Sequence, residues 1–356
     1  MYINYYIDIV TQEKRFRMVR SKSVSLTDIA QKCGVSRATV GHIMSGKKRY
    51  KFKKETEELV RRTAAELNYR PNAYASALRN QENRIILCIV GDVCRHSDME
   101  HLKRLEYELG KRNYNLLIQF LVDLSDEMKL EFMKKTIALP AGIAIWSLGF
   151  KEKQSMEQFK EIFANAPPTL SMTEELPGTK IDYIKILWGS PTIPMAVEHF
   201  RQKGFHRIGC CCNDESELPD IFTTAARQSG LEVKNYAVSG DCHSYFSNGK
   251  EIALKLLAEK EIPEALYCIS DEMVFSLVDA LGKKGIRVPE DIYILGGGDS
   301  DFSRHYDPPI PVLIHDIDGL CRTAVENLVT RIEQGEVNSG SGRCVAEIGR
   351  TICEAV

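Results

Sequence analysis

The chain has 356 residues, 44% hydrophobic and 27% charged, with 13 prolines and a formal net charge of −2. That length allows two or three domains with a well-buried core, and the composition excludes a disordered or collagen-like chain. No run approaches the ~18 uninterrupted apolar residues of a membrane span, and the N-terminus MYINYYIDIVTQEKRFR lacks the apolar core of a signal peptide, so a cytoplasmic protein is expected.

The near-zero charge is unevenly distributed. Residues 21–84 hold 14 Lys/Arg against 6 Asp/Glu, a balance of +8; residues 1–20 add +2, so residues 85–356 carry −12. This asymmetry reads as a basic head for a polyanion on an acidic body, with a solvated basic helix face as the plain alternative.

In chain order, LTDIAQKC (26–33) predicts a helix with Thr27 as N-cap, Asp28 at its positive end and Ile29, Ala30 and Cys33 facing inward. Gly34 supplies a left-handed turn. Ser36 then caps a second short helix with Val35, Val40 and Ile43 inward, completing a helix-turn-helix whose second helix suits the major groove. Its outward positions are Arg37, Ala38, Gly41 and His42. Arg37 can donate twice to guanine, Ala38 can touch a thymine methyl, and His42 can donate to a base or phosphate or be a plain surface histidine. Ser36, Thr39 and Ser45 are placed for phosphate oxygens, and Thr27 is counted with them.

The loop from Gly46 to Lys54, including Lys47, Lys48 and Arg49, holds six positive charges in nine residues. A third helix is predicted over 55–67. Pro71 stops the chain's helicity, Asn72 can cap a new helix, and Ala73 to Arg79 gives two turns at most, too few to persist alone in water.

From Arg84 on, strand-like and helix-like stretches alternate: strands at 84–91, 115–120, 141–146, 207–212, 232–238, 265–270 and 291–295, and helices at 99–112, 126–137, 151–164, 192–203, 221–229, 248–260 and 272–284. Such repeats imply an α/β body with parallel sheets in two lobes, ligands lying beyond the carboxyl ends of the strands. Cys210, Cys211 and Cys212 fall on one strand, where neighbours point to opposite faces, so they cannot converge on one metal. The 11 cysteines are read as buried thiols, with no metal site and no cofactor.

The segments TDIAQKCGVSRATV, ELNYRPN and ASAL, followed by KGFHRIGC, PEALYCISDEM, KKGIRVPEDIYILGGGDSD and YDPPIPVLIHDIDGL, resemble the lac/galactose repressor family of bacterial transcriptional regulators, from about Ser25 onward. The resemblance implies a sequence-specific DNA-binding regulator, more readily a repressor than an activator. Its small all-α helix-turn-helix domain would precede a two-lobed periplasmic-binding-protein-like (type I) body. It would bind a near-palindromic operator as a homodimer, modulated by a small-molecule effector between the lobes. After RPN, a hinge helix folds where two subunits meet over DNA; by resemblance Leu78 wedges into the minor groove, with Asn72, Ala75 and Arg79 beside it. The domains are then 1–24 (extension, with Met18 an alternative start), 25–70 (head), 71–83 (hinge) and 84–356 (body). Lobe 1 is expected at about 84–165 and 317–342, lobe 2 at about 166–316 and 343–356.

The departures from the family are informative. Where the family usually has an effector-binding arginine, spacing gives Leu218; where it has an asparagine, Ser270 precedes Asp271; where it has a first aspartate after a glycine and an aromatic, Gly296, Gly297 and Gly298 lead to Asp299. Ser97 and Asp98 replace aromatics near the first lobe's opening turn. Losing such groups argues against an ordinary free sugar as effector. Either another ligand binds through Arg95, His96, Asp98, Trp146, Trp188, Asp214, Ser270, Asp271 and Asp299, or the cleft is degenerate. The tryptophans can equally be core residues, and Asp271 a helix cap. Two other readings are weaker: an α/β enzyme, for which no GxGxxG, GxxxxGK[ST] or GxSxG motif is present, and a sensor whose head has lost DNA specificity.

Overall fold

The computed structural model describes residues 24–45, 51–69, 83–91, 96–187, 192–213, 217–239, 245–298, 303, 305–307, 309–336 and 340–353. The chain divides into two compact units, Met1–Glu82 and Asn83–Val356.

In the first unit, α1 (Leu26–Cys33), α2 (Arg37–Ser45) and α3 (Lys54–Glu66) enclose a small core of Ile29, Ala30, Val40, Ile43, Val60 and Ala64. The cap of α1 differs from expectation: Ser25, not Thr27, is the N-cap. Its hydroxyl accepts the Asp28 N–H (3.3 Å) while Asp28 Oδ2 accepts the Ser25 N–H (2.7 Å), a reciprocal capping box. Thr27 is an exposed first-turn residue. Gly34 has φ of +66° and ends α1, where a β-carbon would be strained.

In the second unit, the first sheet has strand order β11-β5-β4-β3-β1-β2, built from β1 (Ile85–Val90), β2 (Asn115–Phe120), β3 (Gly142–Ser147), β4 (Thr169–Ser171), β5 (Asp182–Ile186) and β11 (Cys344–Ile348). All its pairings are parallel. Alternate residues of β1 serve two cores. Ile86, Cys88 and Val90 pack with α4 (His96–Lys111) and α11 (Ile317–Glu333), whereas Leu87 and Ile89 pack with α5 (Asp126–Thr136) and α6 (Lys153–Phe163).

The second sheet runs β12-β10-β9-β8-β6-β7, from β6 (Arg207–Asn213), β7 (Glu232–Val238), β8 (Ala265–Cys268), β9 (Tyr293–Gly296), β10 (Val312–His315) and β12 (Arg350–Cys353). It is parallel except for the β10–β12 pair. Its helices are α7 (Thr192–Gln202), α8 (Leu218–Gln228), α9 (Tyr245–Leu257) and α10 (Asp271–Gly282). Cys210 and Cys212 face one core and Cys211 the other; burial pushes the Cys210 and Cys211 thiols well above their ordinary range.

The lobe limits differ from expectation. β4 and β5 join the first sheet through β3, and the C-terminal segment splits, β11 to the first sheet and β12 to the second. Lobe 1 is therefore 85–187 with 317–348, and lobe 2 is 192–315 with 350–353. Sheet membership is fixed by long-range pairing, which no local pattern records.

Candidate nucleic-acid interface and ligand site

The second helix of the head is built to present its amino end. Ser36 Oγ accepts the Thr39 N–H at 3.0 Å and lies 2.9 Å from the Thr39 hydroxyl, fixing the first turn of α2. Gly41 passes within van der Waals reach of Leu26 (3.9 Å from an added β-carbon), so α1 and α2 approach closely. Arg37 and Ala38 are exposed, while Thr39, Gly41 and His42 are half-buried.

Charge in the head is spent unequally. Lys32 pairs with Glu66 (3.1 Å), and Arg61 Nη2 donates to the Ile43 carbonyl in the last turns of α2 (3.3 Å). Arg37 makes no hydrogen bond or ion pair with another described residue, and the first turn of α2 holds no acid. A cation at the positive end of a helix is disfavoured by about 0.3–1 kcal/mol unless an anion covers it. Arg37 thus stands without a partner among the described residues. Ser45 closes α2. The positions Lys47, Lys48, Arg49, Asn72, Ala75, Leu78 and Arg79 lie outside the described residues.

In the body, Ser270 Oγ accepts the Met273 N–H (3.2 Å) and caps α10, so the cap is Ser270 and Asp271 is the first helical residue. Asp271 is buried against the glycine turn: a β-carbon on Gly298 would lie 2.6 Å from its Cγ and 2.7 Å from both carboxylate oxygens. The glycine at 298 is therefore required by the carboxylate at 271. Leu218 does not precede its helix but begins α8, which starts three residues earlier than expected, and it packs on the second lobe's core. Each of the three departures thus has a structural occupant: a core leucine, a helix cap and a turn filled by Asp271.

Asp98 is buried in the first turns of α4, and Trp146 is buried in the first lobe's core at the carboxyl end of β3. Two residues unmarked by the sequence reading join it. The His101 ring lies 4.8 Å from Trp146, and the His315 ring, from the end of β10, meets His101 edge to face at 5.5 Å. The carboxyl ends of the two sheets therefore approach one another beside α4. Arg350, the cross-strand partner of His315, is also buried and donates to the carbonyls of Gly297 and Leu313. A histidine ending a strand was the only available signal, and it is a weak one. His96 begins α4; Arg95, Trp188, Asp214 and Asp299 lie outside the described residues. Among the described residues no group of His, Cys, Asp and Glu side chains is arranged to hold a metal ion, and no helix is long and apolar enough to cross a membrane.

Residues 25–72 match the family described as bacterial regulatory proteins, lacI family, and residues 197–347 match the periplasmic binding protein-like domain. The chain is 26% identical over 332 residues to the HTH-type transcriptional repressor CytR of Escherichia coli (strain K12), covering 90% of this chain and 93% of that protein. It is 27% identical over 326 residues to the HTH-type transcriptional repressor PurR of Haemophilus influenzae (strain PittEE), covering 86% and 91%. The crystal structure of the Lac repressor bound to ONPG in the repressed state shares the fold with a TM-score of 0.73 at 20% identity, over 94% of this chain and 99% of that one. The chain thus carries a lacI-family DNA-binding head followed by a periplasmic binding protein-like domain, and the relatives it matches across head and body together are transcriptional repressors.

Proposed function

We propose that this chain is a homodimeric transcriptional repressor of the cytoplasm that binds a near-palindromic DNA operator and is modulated by a small-molecule effector held between its lobes. It acts as a regulator and not as an enzyme. The observation that carries this reading is Arg37: an exposed guanidinium without a partner among the described residues, at the amino end of the second helix of a helix-turn-helix. A duplex satisfies it, since guanine O6 and N7 accept both of its donors and nearby phosphates supply the missing negative charge. Ala38 and His42 complete base reading. Thr27, Ser36, Thr39, Ser45, Lys47, Lys48 and Arg49 hold phosphates, and Asn72, Ala75, Leu78 and Arg79 form the hinge over the operator centre.

In a selection from randomised duplexes, the protein is expected to enrich a two-fold related pair of half-sites. Arg37→Ala is expected to relax one base position per half-site at a cost of roughly 1–3 kcal/mol. An unchanged base preference would remove Arg37 from the reading set, and enrichment of no sequence at all would favour a sensor without DNA specificity.

The effector is proposed to lie at the carboxyl ends of the two sheets, against Arg95, His96, Asp98, Trp146, Trp188, Asp214, Ser270, Asp271 and Asp299, and to be something other than an ordinary free sugar. Gly298→Ala tests the packing that underlies this. Forcing a methyl into the Asp271 carboxylate is expected to cost about 2 kcal/mol, and the double variant Gly298→Ala with Asp271→Ala should cost less than the two single changes added together. Strict additivity in thermal unfolding would show that residues 271 and 298 do not share this space.

A further inference from the structure

Lys129 is only 4% exposed, although nothing in its helix position demands burial. An ammonium in a protein interior is costly unless its donors are all used. Here the three donors meet three backbone carbonyls: Gly91 O at 2.6 Å, Leu148 O at 3.2 Å and Gly149 O at 2.5 Å. Those carbonyls stand just beyond the carboxyl ends of β1 and β3, adjacent strands of the first sheet. After β1 the chain passes to α4 on one face, and after β3 to α6 on the other. The strand order β2-β1-β3-β4-β5 thus has its switch point between β1 and β3, the crevice where open α/β sheets take their ligands.

One turn earlier on the same helix, Asp126 holds the same loop by its N–H groups. It accepts from Lys151 at 3.0 and 3.2 Å and from Glu152 at 3.0 Å. Burial raises the Asp126 carboxyl, but the Glu152 N–H, the Ser155 hydroxyl, the Lys151 N–H and the nearby Lys129 ammonium outweigh it and hold it below the ordinary carboxylate value. Asp126 and Lys129, three residues apart, share a face of α5. The anion grips the loop's donors and the cation grips its acceptors.

We infer that Asp126 and Lys129 are a pair of positioning residues, a two-charge staple that fixes the β3–α6 loop and the end of β1 as one rigid wall of the first lobe's switch-point crevice. The functional consequence, a preformed lobe 1 wall for the effector, rests on the proposed function. The staple itself does not. A ligand entering this crevice meets a wall set by α5 through Gly91 and the β3–α6 loop, and moves lobe 1 as a body.

The test uses amide hydrogen exchange on the full chain. In Lys129→Ala, exchange at Gly91, Lys151 and Glu152 is expected to rise at least tenfold together, while amides in the centres of α4 and α11 keep their protection. Ammonium chloride, which can reoccupy the three-carbonyl cage, should restore protection where sodium chloride at equal ionic strength does not. Unchanged exchange at the three amides, or equal effects of the two salts, overturns the staple. Should the variant fail to fold, wild-type protein labelled with 15N at lysine Nζ decides. One slowly exchanging ammonium, absent in Lys129→Arg, is expected, and its absence in the wild type overturns the inference. Failure of the operator selection would remove the regulator reading and leave these measurements standing.

Discussion

Asp182→Ala is expected to lower the stability of the body by about 3 kcal/mol, within the range for breaking a buried ion pair from one side. Asp182 opens β5 and is only 2% exposed. Its Oδ1 accepts the Ser341 N–H (2.9 Å), the Ser341 hydroxyl (3.0 Å) and the Arg343 N–H (3.1 Å). Its other oxygen lies 3.7 Å from the buried Arg331 guanidinium, which also donates to the Thr169 carbonyl and to Glu336. Removing the carboxylate strands two backbone donors and leaves Arg331 with less of its compensation. By contrast Lys185 and Glu347, which are both more than half exposed and 3.7 Å apart, form a pair worth roughly 0–1 kcal/mol, so Glu347→Ala is the matched control.

The same network sets an acid response. Burial raises the Asp182 carboxyl, but the N–H groups of Ser341 and Arg343, the Ser341 hydroxyl and Arg331 outweigh it and leave it below its ordinary value. A depressed folded-state value means that the network's contribution is complete above the unfolded-state value, near ~4, and is lost as pH falls through the lower folded value. Unfolding midpoints measured from pH 6 to pH 2 should therefore converge for wild type and Asp182→Ala at the acid end. A constant gap across that range would show that the carboxylate's charge is not what stabilises this corner.

Local chemistry made much of the fold legible and little of the cleft. β2 and β7 were expected with the bounds they have, because turn residues flank them; Ser36 caps its helix where side-chain chemistry places it. The misplaced cap at Thr27 had a readable remedy, since Ser25 and Asp28 have the spacing of a capping box. β4, β5, β10, β11 and β12 were not expected; β4 escaped notice because three buried residues behind two prolines carry no periodicity. The sheet to which β4, β5, β11 and β12 belong is decided by partners far along the chain. Lys129 is the sharper case. On a helix whose inward residues are Leu130 and Met133, a lysine reads as solvated, and only the carbonyls that β1 and β3 bring together explain its burial. The three family departures were visible as residues, but not as a packed leucine, a cap and a turn closed by Asp271.

Leu117→Lys combined with Phe120→Glu is expected to convert the protein to a monomer and to weaken operator binding by at least ~100-fold, since two linked heads gain about 10²–10⁴ over one. β2 is the outer strand of the first sheet, and its sequence NLLIQF contains none of the lysines, prolines or bulges that normally shield an exposed edge. Leu117 (43% exposed) and Phe120 (44%) project from opposite faces of this edge strand, and α4, on the Phe120 side, exposes Met99 and Tyr107 two turns apart on one stripe. Arg104 and Lys111 stand over the Tyr107 ring, 5.0 and 4.4 Å from its centroid, and both pair with Glu108, so the patch has a rim of both charges around an apolar centre. A second copy placed by a two-fold axis meets this surface with itself, the symmetry that the proposed near-palindromic operator requires of the heads. The charges at 117 and 120 must then lose their water at that axis, a cost that their mutual attraction does not repay without good geometry. Sedimentation equilibrium at micromolar concentration measures the assembly, and titration of full and half operators measures the binding. A double variant that stays dimeric, or that loses full-site and half-site affinity equally, would place the subunit contact elsewhere on the body.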